Sequence, residues 1–315
     1  MAAISVAVNI AIPPFPSVAL IAGPTASGKS AAAIAVATAH DGVVVNADAS
    51  QVYRDLRVLS ARPSPDDEAR VPHRLFGHVD GADTGYSAAR WAAEARSTIA
   101  AIHADGRLPV LVGGTGLYLR TLLDGIAPVP EIDGGIRAAV RALPVAAAHR
   151  LLSIEDPAAA ARLAPTDTTR VARALEVVRS TGRPLADWQA ERVGGIGDAI
   201  RLAPIRLLPP RDLLLSRIDA RAAAMMDDAL AEVAALTIRA DIPADAPVRR
   251  AIGVAALANH LAGRLSRDDA LARLRHDTRR YAKRQYTWFR NQPPSEWHIA
   301  TENDSIDGVI DVLLR

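Results

Sequence analysis

Eight residues, Gly23-Pro24-Thr25-Ala26-Ser27-Gly28-Lys29-Ser30, constrain this chain more than any other stretch. They fit G-x-x-x-x-G-K-[ST], a loop whose backbone N–H groups converge on phosphate oxygens. Such a loop joins a strand to a helix, and both neighbours are present. Val18-Ala19-Leu20-Ile21-Ala22 is a short apolar run that reads as a buried parallel strand. Ser30 to Ala39 is alanine-rich and reads as a helix. Gly23 and Gly28 permit tight turns and close approach of a ligand. The helix N-terminus adds partial positive charge, and Ser30 is the position that holds Mg²⁺ in such loops. A census of basic residues sharpens the reading. Lysine occurs only at Lys29 and Lys283; every other residue of the 37 Lys+Arg is arginine. An ammonium is a compact point charge that fits a tight anion cradle, whereas a planar guanidinium is a broad fork. The loop specifies a polyphosphate ligand without saying which one.

At 315 residues, half of them hydrophobic, the chain can bury a large core and carry two domains. Only 4% is aromatic, so alanine and branched aliphatics must build that core. The absence of cysteine excludes disulfides, Cys-zinc sites and a cysteine nucleophile. No apolar run reaches the roughly 18 residues of a membrane span. The stretch from Met1 to Pro16 is apolar but lacks the basic start and small-residue end of a signal peptide. It reads as a lead-in to the first strand, and a cytoplasmic location is expected. A net charge of +2 by itself implies no partner.

The first part alternates strand and helix. Gly42 to Ala47 reads as a second strand ending at Asp48, and Ser87 to Ala104 as a helix with Ser87 as N-cap. Leu108 to Val112 reads as a third strand, followed by Gly113-Gly114-Thr115-Gly116 and a helix to about Leu123. Alternation argues for a parallel, doubly wound sheet, in which ligands sit beyond the carboxyl ends of the strands. Those ends carry the phosphate loop, Asp48 and Gly113 to Thr115, so three features point at one crevice. Ala127-Pro128-Val129-Pro130 marks a boundary, and Ile136 to Gln189 reads as helices broken at prolines. Ile205 to Leu208 is a further strand candidate. Helices are expected from Asp212 to about Arg239, Arg249 to Ala262 and Arg267 to Arg290. The expected fold is an α/β phosphate-loop core with a doubly wound parallel sheet, a small all-helical insertion and a helical C-terminal region. The expected division is 14–126, 127–203 and 204–315.

Arg275, Arg279 and Lys283 are spaced i, i+4, i+8 in the last helix and share a face, with aromatics interleaved. Such a stripe can track a nucleic-acid backbone. Taken alone it reads more readily as a solvated arginine face. Motor and switch NTPases place a Mg²⁺-binding Asp at the end of an apolar strand; here Leu108–Val112 ends in Gly113-Gly114. There is no Asn-Lys-x-Asp guanine reader. Asp48 is the nearest strand-end acid. A carboxylate beside a phosphate pocket can bind Mg²⁺ or take a proton from a nucleophile, or simply cap the next turn.

Together these motifs resemble the tRNA dimethylallyltransferases, also called tRNA isopentenyltransferases, over nearly the whole chain. The matching segments are Gly23–Ser30, Asn46-Ala47-Asp48 with Gln51-Val52-Tyr53, Pro72-His73-Arg74-Leu75, and Leu111 to Tyr118. Arg173 to Val177, Ala251-Ile252-Gly253, Tyr281 to Gln285 and Trp288-Phe289-Arg290 complete the series. The resemblance implies transfer of a dimethylallyl group from its diphosphate to N6 of adenosine 37, beside the anticodon of tRNA. By it, the loop residues Gly23, Pro24, Thr25, Ala26, Ser27, Gly28, Lys29 and Ser30 grip a diphosphate. Arg217 and Arg221 share its charge, and Ser30 holds Mg²⁺. Asp48 is the implied general base and Thr115 lies where the substrates meet. The implied tRNA contacts are Asp48, Ala49, Ser50 and Gln51, then Thr169, Arg170, Val171, Ala172 and Arg173. Arg249, Arg250, Ala251, Ile252 and Gly253 follow, and Arg279 and Lys283 join them from the stripe. The partners are then tRNA, with adenosine 37 flipped out of its loop, and dimethylallyl diphosphate, with no membrane and a monomeric enzyme. One departure stands out: the family commonly reads Asp-Ser-x-Gln where this chain has Asp48-Ala49-Ser50-Gln51. Prenylation of free AMP or ADP, a small-molecule phosphate-loop kinase and a nucleic-acid binder with a vestigial loop are the competing readings. The helical insertion and basic C-terminal half favour a tRNA acceptor over a mononucleotide.

Overall fold

A computed structural model describes residues 16–301 and 306–314. The Met1–Pro16 lead-in lies, but for Pro16, outside the described residues. In chain order the first elements are β1 (Ser17–Ala22), α1 (Lys29–Ala39), β2 (Gly42–Asn46), α2 (Pro65–Arg70) and β3 (His73–Arg74). Next come α3 (Ala88–Ala104), β4 (Leu108–Gly113), α4 (Gly116–Asp124), α5 (Gly134–Arg141), α6 (Val145–Glu155) and α7 (Pro157–Arg162). α8 (Thr168–Thr181), α9 (Leu185–Ala190), β5 (Arg201–Leu207), α10 (Arg211–Ala224) and α11 (Met226–Ile238) follow. The last are α12 (Val254–Leu261), α13 (Arg267–Asn291), β6 (His298–Ala300) and α14 (Ile306–Leu314).

Six strands among the described residues form one parallel sheet in the order β3-β2-β4-β1-β5-β6. β1 is central: Ala19 pairs with Val110 on one side and Ala203 on the other. Burial on both faces explains its apolar run, in which Val18 to Ala22 have no exposed surface. On one face Ala33, Ile34 and Ala37 of α1 pack with Ile310 of α14 over Ile21, Val44 and Val110. Alanine dominates α1 because its small side chain lets a helix lie close to the sheet. On the other face Trp91 of α3 is fully buried and donates its indole N–H to the carbonyl of Asn46 at 2.9 Å. Ser87 caps α3 as expected, its hydroxyl accepting from Arg90 N–H.

The chain divides into two compact units. One comprises the described residues up to Arg120 and from Gly197 on; the other is Thr121–Ile196. The expected boundary at 203/204 falls inside β5, because residues 201–203 pair with β1. The smaller unit is helical, with Val140, Leu152, Val171 and Leu175 at its centre. Asp133, Asp156 and Asp167 cap α5, α7 and α8 through their carboxylates, and Gly182 ends α8 in the left-handed conformation. Buried Glu176 is paired with Arg141 at 2.9 Å.

Two expected helices are interrupted. The stretch from Asp212 to Arg239 breaks at Met225 into α10 and α11. The stretch from Arg249 divides into a 3₁₀ turn, Pro247–Arg250, and α12, because Gly253 adopts φ 94°.

Candidate active site

The loop Gly23–Gly28 turns tightly because Ala26 (φ 64°) and Gly28 (φ 93°) both adopt left-handed backbone. A Cβ on Gly23 would come 2.6 Å from the carbonyl oxygen of Leu207, so only glycine fits there. The first turn of α1 has no side-chain cap and no acidic residue, which leaves its N–H groups free for an anion. The Ser27 hydroxyl is buried without a hydrogen-bond partner among the described residues, an unmet polar group inside the cradle. Ser30 is exposed at the second position of the helix. Lys29 is buried, and its ammonium donates to the Pro24 carbonyl at 3.2 Å. Burial pulls its pKa down to about 8; Asp48 opposes that shift and Arg221 adds to it.

Three contacts fix the loop to the rest of the core. Arg221 donates to Thr25 Oγ1 at 2.7 Å, and burial pulls its pKa down. Buried Gln285 accepts from Thr25 N–H and donates to the Gly114 carbonyl, both at 2.8 Å. Gly23 N–H donates to the Gly113 carbonyl at 3.4 Å.

Asp48 stands two residues beyond the end of β2 and is buried. Asn46 brackets it, accepting from Asp48 N–H at 2.8 Å and donating to the Asp48 carbonyl at 3.0 Å. The Asp48 carboxylate oxygen Oδ1 accepts from Ser50 N–H at 3.0 Å and from the Ser50 hydroxyl at 2.7 Å. Thr115 locks this segment to β4: its hydroxyl accepts from Ala49 N–H at 2.9 Å and its own N–H donates to the Ala47 carbonyl at 3.2 Å. This contact explains the glycines that replace a strand-end acid. A Cβ on Gly113 would lie 2.2 Å from the Ala47 carbonyl carbon, and one on Gly114 would lie 2.3 Å from Gln285 Nε2.

Asp48, Thr115, Thr25 and Arg221 line one cavity of about 400 Å³. Four of the five tyrosines of the chain, Tyr53, Tyr86, Tyr118 and Tyr281, line it too. Tyr118 stacks on Trp91 with ring centroids 4.5 Å apart. Tyr86 donates its hydroxyl to Glu94 at 2.7 Å. Tyr281 lies beside Thr115 and Gln285, and burial pushes its phenol pKa up. Leu274 and Met225 add apolar wall. The cavity thus joins a cationic edge, one carboxylate and aromatic sides able to enclose an apolar group and a flat ring.

The remaining residues divide. Ala49, Ser50, Arg250, Ala251 and Ile252 line the cavity. Gln51 does not: its amide donates to the carbonyls of Ser60 and Ala61. Arg249 is turned away, its guanidinium donating to the carbonyls of Arg239, Ile242 and Pro243. Gly253 packs against Leu59 and Leu274, where a Cβ would come within 2.9 Å. Arg217 lies with Ser27 and Gly28 on a smaller cavity of about 260 Å³. Arg279 and Lys283 line a separate groove with Arg211, Leu214 and Tyr286, on the face of α13 opposite Leu274, Thr278 and Tyr281. Arg279 is there paired bidentately with Asp219 of α10. In the smaller unit Thr169 and Arg170 are exposed on α8, Ala172 and Arg173 are half-buried, and Val171 is buried among core aliphatics. The side chain of Val171 is therefore spent on packing.

The family model described as IPP transferase matches residues 51–292. A tRNA dimethylallyltransferase of Sphingopyxis alaskensis is 65% identical over 297 residues, 94% of this chain and 96% of the relative. One of Erythrobacter litoralis is 53% identical over 306 residues, covering 95% and 96%. Among solved structures, a tRNA isopentenylpyrophosphate transferase from Bacillus halodurans superposes with TM-score 0.67 at 33% identity, covering 95% of this chain and 94% of that one. A eukaryotic dimethylallyltransferase acting on tRNA gives 0.73 at 27% identity, covering 87% and 69%. With a phosphate cradle, a strand-end carboxylate and a tyrosine-lined cavity at the carboxyl ends of its sheet, the chain belongs to the IPP transferase family.

Proposed function

We propose that this protein transfers a dimethylallyl group from dimethylallyl diphosphate to N6 of adenosine 37 in tRNA. The observation that carries the reading is the meeting of cradle and carboxylate: Thr25 and Arg221 reach the same cavity as Asp48. The diphosphate rests on the loop N–H groups, Lys29 and Arg221, which neutralise the charge that develops as the allylic C–O bond breaks. N6 forms the new bond to the allylic carbon, and its proton passes to Asp48. The adenine must leave the anticodon-loop stack to enter, and the tyrosine sides of the cavity offer it stacking surfaces.

The donor set suits Mg²⁺ held chiefly by substrate. No cluster of three or more His, Asp or Glu is present among the described residues. Mg²⁺ keeps several waters and leans on phosphate oxygens. Ser30, at the second position of α1, would hold it, and the ion would offset diphosphate charge. The smaller helical unit, through exposed Thr169 and Arg170, is the proposed contact to the anticodon stem-loop. The proposed enzyme works as a monomer in the cytoplasm; no helix among the described residues is long and apolar enough to cross a membrane.

Incubation with Mg²⁺ and labelled dimethylallyl diphosphate tests this reading. Label is expected on tRNA; label on AMP but not tRNA would overturn it, as would phosphate transfer from labelled ATP in place of prenylation.

Lys29 adds a pH signature. Its ammonium carries its proton below about pH 8 and loses it above. Affinity for an allylic diphosphate is therefore expected to hold from pH 6.5 to 7.5 and to fall by up to about tenfold per unit above 8. Because the bound anion favours the charged amine, calorimetry near pH 8.5 should register proton uptake on binding. A flat affinity up to pH 9.5 would show that loss of the Lys29 proton does not govern binding in this range.

A further inference from the structure

Resting on the proposed function, we infer that the hydroxyl of Ser50 is the positioning group for the base Asp48, supplying the hydroxyl that Ala49 lacks. The two donors of Ser50, its N–H and its hydroxyl, both converge on Oδ1 of Asp48, at 3.0 and 2.7 Å. The second carboxylate oxygen, Oδ2, accepts no hydrogen bond among the described residues, and Asp48 lines the cavity. One oxygen is thus held and the other left for the incoming proton. The bracket is reinforced around it. Asn46 fixes the Asp48 backbone on both its N–H and its carbonyl, and Thr115 holds the next N–H, that of Ala49. With the backbone pinned at two successive residues, the Ser50 hydroxyl bears on the orientation of the carboxylate plane. A methyl at residue 49 offers no such donor.

The charged and titratable groups that act on Asp48 come from four elements: Lys29 of α1, Tyr118 of α4, Arg221 of α10 and Tyr281 of α13. Two are cations, which favour the carboxylate but do not orient it, because a point charge sets no plane. A short hydroxyl hydrogen bond does. Ser50 lines the cavity as well, so an RNA contact is the competing role. The two roles predict different kinetics. Loss of a positioning group lowers kcat and leaves KM for tRNA unchanged; loss of an RNA contact raises KM.

Ser50→Ala is expected to lower kcat about ten- to thirtyfold, the worth of a hydrogen bond to a charged group. KM for tRNA and the melting temperature should stay near wild type. Ser50→Thr, which keeps the hydroxyl, should restore most of the rate. A kcat within twofold of wild type in Ser50→Ala, or a raised tRNA KM at unchanged kcat, would overturn the inference, as would failure of Ser50→Thr to rescue. If Ser50→Ala does not fold, Ser50→Cys, a weak donor of similar size, should give an intermediate kcat, and wild-type kcat in it would overturn the assignment. The ¹³C chemical shift of the Asp48 carboxyl at one fixed pH, compared between wild type and Ser50→Ala, needs no substrate. It should change when the hydroxyl donor is lost, and an unchanged signal counts against Ser50 even if the proposed reaction itself fails. Absence of label transfer by the wild-type enzyme, by contrast, counts against the proposed function alone.

Discussion

Asp48→Ala is expected to cut turnover by about 10²–10⁴-fold while tRNA affinity stays within about threefold of wild type. The magnitude is that of a lost general base. Its selectivity follows from where the structural load is carried. Thr115 and Asn46 contact the backbone around Asp48, so Asn46 and Thr115 remain to hold the segment when the carboxylate is gone. The carboxylate itself binds only Ser50 among the described residues, and Ser50 lies at the cavity surface. Single-turnover kinetics with pre-bound tRNA would separate the chemical step from binding. Full activity in the variant would remove Asp48 from the role of base.

The second large effect is expected at the cradle. Lys29→Arg should lower kcat/KM for the allylic diphosphate by about 10²–10³-fold, nearly as much as Lys29→Ala. In most ion pairs an arginine replaces a lysine at small cost. Here the ammonium is buried, donates to the Pro24 carbonyl and lies among the turns at Ala26 and Gly28. A guanidinium is wider and planar, and its fork would displace the loop N–H groups proposed to bind the diphosphate. Measured diphosphate affinity should fall with the rate. An arginine variant with wild-type kcat/KM would show that the cradle has room for the fork and that the surviving lysine answers to something other than size.

The sequence made the central strands and the site readable for one reason: both are dense in local constraint. β1, β2 and β4 are runs of buried aliphatics, and the loop after β1 requires particular residues at fixed spacing. β3 and β6 are two and three residues long, too short to carry a period, and were not legible. The break at Met225 was foreshadowed only by Asp227 and Asp228, which stand in the first turn of α11. Long-range partners left the least trace. Gln285 joins the phosphate loop to Gly114 across most of the chain; its segment, Tyr281 to Gln285, stood out as a family match, but nothing in it named the loop as its partner. The stripe on α13 shows the opposite limit: i, i+4, i+8 spacing correctly put Arg279 and Lys283 on one face, but spacing cannot say which way a face looks. Leu274, Thr278 and Tyr281 took the cavity side, and the basic residues took the other. The shifted hydroxyl after Asp48 was visible as a departure, and only the fold shows it turned back onto the carboxylate.

The strand order also dictates a timetable for synthesis. The central strand β1 is made early, yet one of its two neighbours, β5, lies beyond the whole helical unit Thr121–Ile196. That unit closes through helices adjacent in sequence, α6 on α7 and α8, and contacts of that kind form fast. A chain leaving the ribosome can therefore finish its insertion while β1 still has an open edge. Until β5 emerges, the half-built sheet presents the unpaired backbone of Val18 to Ala22, an apolar edge. Exposure to edge-to-edge association is expected in the interval between these two events, and the length of the insertion sets how long it lasts.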